Sequence, residues 1–325
     1  MKKHFVLFLF LFSNIFLFAK PPFDDYTGDG TAGNPYKLYT KDHLLELGDS
    51  INASMDPDFS TWHFNKHFRL MQDITDTLRQ SIGRSAVFKG HFHGAGKKII
   101  VAISTSFPPD PSNCPYLFTV LYLNCIIDSL IVEGYLTGVG AVGIVYNNCG
   151  TISHCINNAT ITDPFGASPD GITYQNEGTI INCLNNGDIT GVDCVAGIAG
   201  DNQTGTIINC INTGKITATN SGSAPNGVSG VGGIAAFHKN NISNCINLGT
   251  VEGQNNVGGI VGWASPLGNT ASQITNCINY GYVKGINNVG GILGYMYNQN
   301  VNISNCINAG VVEGSSDVGS ITGKE

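Results

Sequence analysis

Chemistry in this 325-residue sequence could reside in ten cysteines, two closely spaced histidine pairs, a scatter of carboxylates and three aromatic residues at a recurring position. Seven cysteines, Cys125, Cys155, Cys183, Cys210, Cys245, Cys277 and Cys306, recur at intervals of 30, 28, 27, 35, 32 and 29 residues. Cysteines in an exported chain ordinarily form disulfides. A regular column instead places thiols side by side on neighbouring strands, where cysteine also serves as a small apolar filler. The expectation is buried reduced thiols in that column, with Cys114, Cys149 and Cys194, which lie off it, as the better candidates for pairing. His63 with His67, and His91 with His93, could each face one way and bind zinc. Spacing identifies no third ligand, so the expectation is partly exposed histidines, no metal and no cofactor.

Between residues 121 and 325 there are twelve Asp or Glu, four Lys and no Arg. Cleavage of a polysaccharide needs clustered carboxylates, or a base beside calcium ligands. Asp128, Asp163, Asp188, Glu252 and Glu313 are isolated in sequence, which suits solvated turns and argues against an enzyme. No His-Glu-x-x-His motif and no Gly-Gly-x-Gly-x-Asp calcium repeat occurs. One feature stands out: Phe237, Trp263 and Tyr295 follow the same Gly-Gly-Ile block in three successive repeats. If the Ile of that block points inward, alternation places the aromatic column outside, as a stacking surface for sugar rings or for another protein. The plainer reading is that these rings cover a corner or pack under the neighbouring insertion.

The elements that must position these residues come from the repeat. Ile-x-Asn-Cys-Ile-Asn-x-Gly-x-Val-x-Gly is seen cleanly at 242–253, 274–285 and 303–314, with related copies from Ile152, Ile180 and Ile207. A second block, Val-Gly-Gly-Ile-x-Gly, lies between copies, as at 231–236, 257–262 and 289–294. Each repeat holds three short apolar pieces rich in Ile and Val, and no helix-length apolar period occurs after residue 121. A period near 30 residues predicts one coil of a right-handed parallel β-helix, an all-β solenoid in which like residues stack into ladders about 4.8 Å apart. Seven coils would extend about 34 Å. Longer intervals mark insertions at 217–229 and 264–271.

The chain opens with Lys2 and Lys3, an apolar run from Phe5 to Phe18, and Ala19-Lys20-Pro21-Pro22, the pattern of a secretory signal peptide over 1–19. A strap and capping helix are expected over 20–60, with Thr40 as N-cap and Leu44, Leu45, Leu47 and Ile51 on one face. Irregular coils follow over 61–120, with strands near 68–71, 87–92, 99–103 and 117–123, and the repeat coils occupy 121–325. Formal charge is -7, and only 12% of residues are charged. Nucleic acid and anionic membranes are therefore poor partners, and no later segment is apolar enough to span a bilayer.

Gly28 to Tyr36 with the helix after it, Phe88 to Ile99, and the Val-Gly-Gly-Ile and Ile-x-Asn-Cys blocks together resemble bacterial surface proteins carrying GLUG repeats. The resemblance implies a right-handed β-helix displayed on a cell surface or secreted, adhesin-like, and it offers no catalytic residues. The expected function is binding of a glycan or of a host or matrix protein, with Phe237, Trp263 and Tyr295 as the site. The alternative is a structural spacer that self-associates end to end. A carbohydrate-active enzyme of the pectate-lyase-like fold is the weakest reading.

Overall fold

The computed structural model describes residues 27–53, 63–84, 86–105, 115–166, 168–220, 229–266, 268, 271–298 and 300–325. The expected signal peptide and Cys114 lie outside these residues. So does most of the insertion expected at 217–229.

The chain winds into a parallel β-solenoid of about nine turns with a single described helix. A full coil contains five short strands where three apolar pieces were expected, because corners divide two of the pieces. In one coil these are Ser272–Thr275, Ile278–Asn279, Val283–Lys284, Asn287–Gly290 and Leu293–Met296. Stacking them gives four sheets. Sheet I has ten strands, from Tyr36–Leu38 to Val301–Ser304, and sheet II has fifteen, including Ile278–Asn279 and Val283–Lys284. Sheet III has five strands, including Asn287–Gly290, and sheet IV has nine, from Val87–Phe88 to Thr322–Lys324.

Asparagine explains the break between the two sheet II strands of each coil. Ile131–Thr137 is one unbroken strand and carries Val132 at the position where later coils carry Asn157, Asn185, Asn212, Asn247, Asn279 and Asn308. The Asn157 side chain accepts from the Ala159 N–H (3.1 Å) and donates to the Ala159 carbonyl (3.2 Å), bending the chain at that point. Its Nδ2 also donates to Asn185 Oδ1 at 2.7 Å, and the same bond repeats coil by coil to Asn308. These amides are almost wholly buried, and a fully satisfied ladder is what makes polar residues tolerable there.

The second glycine of Val-Gly-Gly-Ile makes room for that ladder. A Cβ on Gly259 would sit 2.4 Å from Asn279 Cγ and 2.2 Å from the Gly291 carbonyl oxygen. The two sequence blocks are therefore two sides of one contact across the coil interior. At the corner before each column cysteine, His154, Asn182, Asn209, Asn244, Asn276 and Asn305 adopt φ of 53–56°, as does Ser129 (52°) before Leu130, and asparagine enters this region at low cost. Isoleucine fills the remaining interior, as in the sheet I column Ile127, Ile152, Ile180, Ile207, Ile242 and Ile274. Each such side chain contributes on the order of 1.5–3 kcal/mol.

Register corrects the cysteine column. Ile126 pairs with Thr151 and Ile131 with Ile156, so Leu130, and not Cys125, lies opposite Cys155. The column has six cysteines, with Cys125 buried elsewhere in the core. All nine described cysteines are free thiols, which removes the expected pairing of Cys149 and Cys194. Cys149 sits against Glu177 (3.9 Å), and Cys194 is held at the corner entering sheet III with φ 51°.

The helix Lys41–Ala53 packs against the sheet II strand Ile74–Leu78. Thr40 Oγ1 accepts from the His43 N–H at 3.2 Å, the N-cap bond, and Leu44, Leu47 and Ile51 are fully buried. The early strands were foreseen within a few residues: His67–Leu70, Val87–Phe88 with His91–His93, Lys98–Ser104 and Phe118–Leu121. Phe68, Phe88, Phe92 and Phe118 fill the core there, with successive rings 5.1–6.1 Å apart.

Candidate functional site

Sheet IV carries one continuous column along its outer side: Asn147, Gln175, Asp201, Phe237, Trp263, Tyr295 and Lys324 are partners in successive coils. The three aromatic residues singled out in the sequence are thus adjacent. Their rings meet edge to face, Phe237 to Trp263 at 5.9 Å and 84°, and Trp263 to Tyr295 at 5.4 Å and 82°. Trp263 is sunk between its neighbours at 7% exposure, while Phe237 and Tyr295 are half-buried.

Two further side chains complete the patch. Tyr297, 60% exposed, tilts against Trp263 at 5.9 Å, and Lys239 Nζ stands 4.7 Å over the Phe237 ring. Among the described residues the Trp263 indole N–H has no hydrogen-bond partner, an uncommon condition for a buried donor.

A second aromatic group on sheet IV escaped the sequence reading. Tyr146 and Tyr174 stack at 4.8 Å, with Tyr116 5.2 Å from Tyr146. Their spacing of 28 residues equals the interval from Cys155 to Cys183, and that coincidence was the available signal.

Between the two aromatic groups the wall is polar. Asp201 Oδ2 accepts from Gln203 Nε2 at 2.8 Å, and burial raises its pKa against the pull of Lys239. Asp170 is fully buried beside Gly200 and accepts the Ala196 N–H at 3.1 Å. Burial, with smaller contributions from Asp201 and Asp163, holds its carboxyl well above the usual range. Acids isolated in sequence are therefore neighbours here. Burial also pushes the Tyr174 phenol up to about 12.

The histidine pairs separate and recombine. His63 is buried, bonded through Nε2 to the Val87 carbonyl (3.3 Å), and burial lowers its pKa to about 4. His67 instead pairs in register with His91, their rings stacked at 4.2 Å. His93 Nδ1 donates to Asp128 Oδ2 at 2.5 Å, which leaves His93 Nε2 to accept from His67 Nδ1 at 2.8 Å. Burial lowers His67 and His91, while Asp128 is held low by His93 despite burial acting the other way. Among the described residues no three His, Cys, Asp or Glu side chains converge to hold a metal ion.

Fold and site together define a parallel β-solenoid with a partly exposed aromatic wall. No protein-family model matches the chain, and no curated protein matches it. Among solved structures, a Bacteroides ovatus protein described as a candidate immunoglobulin A1 protease is similar over 91% of this chain and 84% of its own, with 18% identity and a TM-score of 0.53. At that identity the likeness concerns the fold.

Proposed function

We propose that this chain is an exported, surface-displayed solenoid of the GLUG-repeat kind that works by binding, adhesin-like, and holds an extended glycan along the outer wall of sheet IV. The observation that carries the reading is the alignment of Phe237, Trp263 and Tyr295 in consecutive coils, with Tyr297 and Lys239 at the margin. Coils repeat at about 4.8 Å, near the length of one sugar unit, so neighbouring rings can meet neighbouring sugars. The amides, acid and lysine beside them supply the hydroxyl partners that a sugar edge requires.

Cleavage is the weaker reading. Asp170, the carboxyl whose pKa is raised furthest among these acids, is wholly enclosed and cannot touch a bound polymer. The protease name belongs to the Bacteroides ovatus protein, and the present sequence contains no His-Glu-x-x-His motif.

The test is a glycan and matrix-protein array with the chain from Lys20 onward, alongside Trp263→Ala and the double variant Phe237→Ala with Tyr295→Ala. Loss of two partly exposed rings should weaken glycan binding at least tenfold, about 1.4 kcal/mol, with the thermal midpoint retained. Undiminished binding by both variants, or binding confined to proteins, would refute the glycan wall.

A further inference from the structure

Inside the coil lies an array of sulfur ligands that the aromatic wall leaves unused. Cys155, Cys183, Cys210, Cys245, Cys277 and Cys306 each precede a register-paired residue of sheet II, so their side chains stack in file. Successive thiols are near enough to influence one another's ionisation. Each Sγ also faces the carbonyl two residues earlier, at 3.3–3.4 Å. Five of the six are buried and Cys306 is half-buried.

Geometry selects the ligand. Neighbouring strands repeat at about 4.8 Å, and a thiolate bonds a filled-shell metal ion at about 2.3 Å. Two such bonds in line span about 4.6 Å, so an ion midway between successive sulfurs would be linear and two-coordinate with little movement of either strand. Soft monovalent ions accept that arrangement, whereas zinc requires four ligands in a tetrahedron. A two-coordinate site needs no third side chain, and none converges among the described residues.

We propose that the cysteine column binds soft monovalent cations, copper(I) or silver(I), one in each interval between neighbouring sulfurs. Each cation replaces one thiol proton, which leaves to solvent, and no atom changes oxidation state. Six sulfurs leave five intervals. Five cations and one retained proton keep the column neutral, which avoids the cost of a buried net charge. Burial pushes the thiols of Cys155, Cys210 and Cys245 well up, so uptake releases protons and weakens as pH falls.

The experiment is native mass spectrometry of the reduced, anaerobic chain titrated with silver(I), then washed with a competing thiol, with zinc(II) in parallel. Solitary thiols elsewhere could hold silver too, so the reading lies in differences between variants. Cys210→Ala, inside the column, interrupts two intervals and should lower the silver count by two. Cys306→Ala, at its end, interrupts one and should lower it by one. Should Cys210→Ala fail to fold, Cys183→Ala or Cys245→Ala tests the same point. A loss of one from every variant means independent thiols and overturns the proposal. So does silver wholly removed by the wash, equal uptake of zinc, or a mass showing the column closed into disulfides.

Discussion

His238 shows how one residue shapes both a ladder and a pH response. In sheet IV, Asn148, Asn176 and Asn202 bond amide to amide at 2.7 Å, and Asn202 Nδ2 then donates to His238 Nδ1 at 3.1 Å. His238 Nε2 donates in turn to the Gln273 carbonyl (3.1 Å), so the buried ring is neutral, and burial lowers its pKa to about 4. A histidine depressed in the folded chain is protonated first when unfolded. Stability is therefore retained above about pH 6.5 and falls as the pH drops toward 4, by about 1.4 kcal/mol per pH unit. His238→Asn extends the asparagine ladder and removes the titrating ring. Denaturant midpoints measured at pH 7 and pH 4.5 should show the variant losing up to about 3 kcal/mol less than the parent; equal losses would show that His238 does not govern acid sensitivity. Nothing local in the sequence marked His238 as buried, because its place follows from register with Asn202. Phe237, its neighbour, was legible because the Gly-Gly-Ile block fixed its offset. Asp170 was not, since its burial depends on Gly200 in the next coil leaving space.

At the scale of the element, the pattern of Ile, Asn and Gly made the strands legible, while their division did not follow from apolar runs alone. The corner asparagines bend the backbone with their own side chains, a local bond that hydrophobic periodicity does not encode. The misplacement of Cys125 has a related cause. Spacing of 30 residues matched the repeat, yet Ile131–Thr137 runs straight through the corner, so the cysteine falls opposite Gly150. The contact between the two sequence blocks gives a sharp test. Gly259→Ala drives a methyl into Asn279 and should cost about 1–3 kcal/mol, read from urea unfolding. Gly33→Ala, where nothing lies within 4 Å, should change stability by less than about 0.5 kcal/mol. A tolerated Gly259→Ala would mean that the ladder shifts to accommodate it.

Across the whole molecule, contacts run mainly from each coil to its neighbours, so stability should add up coil by coil. Excision of residues 180–206 joins Thr179 to Ile207, one full turn later in the same column. The shortened chain should remain soluble and keep its far-ultraviolet β signal, with a lower unfolding midpoint; a collapsed, aggregating product would show that the coils are not interchangeable. The stacked coils were readable from the repeats, counted there as seven after residue 121 with irregular coils before them, and the helix from its Thr40 cap. The right-handed winding expected from the sequence rests on the general preference of parallel crossovers. The buried asparagine ladder has one more consequence for the molecule as a body. From Asn157 to Asn279 one amide N–H of each side chain points toward the next coil, while outer pairs such as Asn209 to Asn182 and Asn287 to Asn255 point back. Water screens the outer set and leaves the inner one unopposed. The solenoid is thus electrically polar along its length, its interior dipole directed with the positive end at the last coil, much as a helix is polar along its own axis.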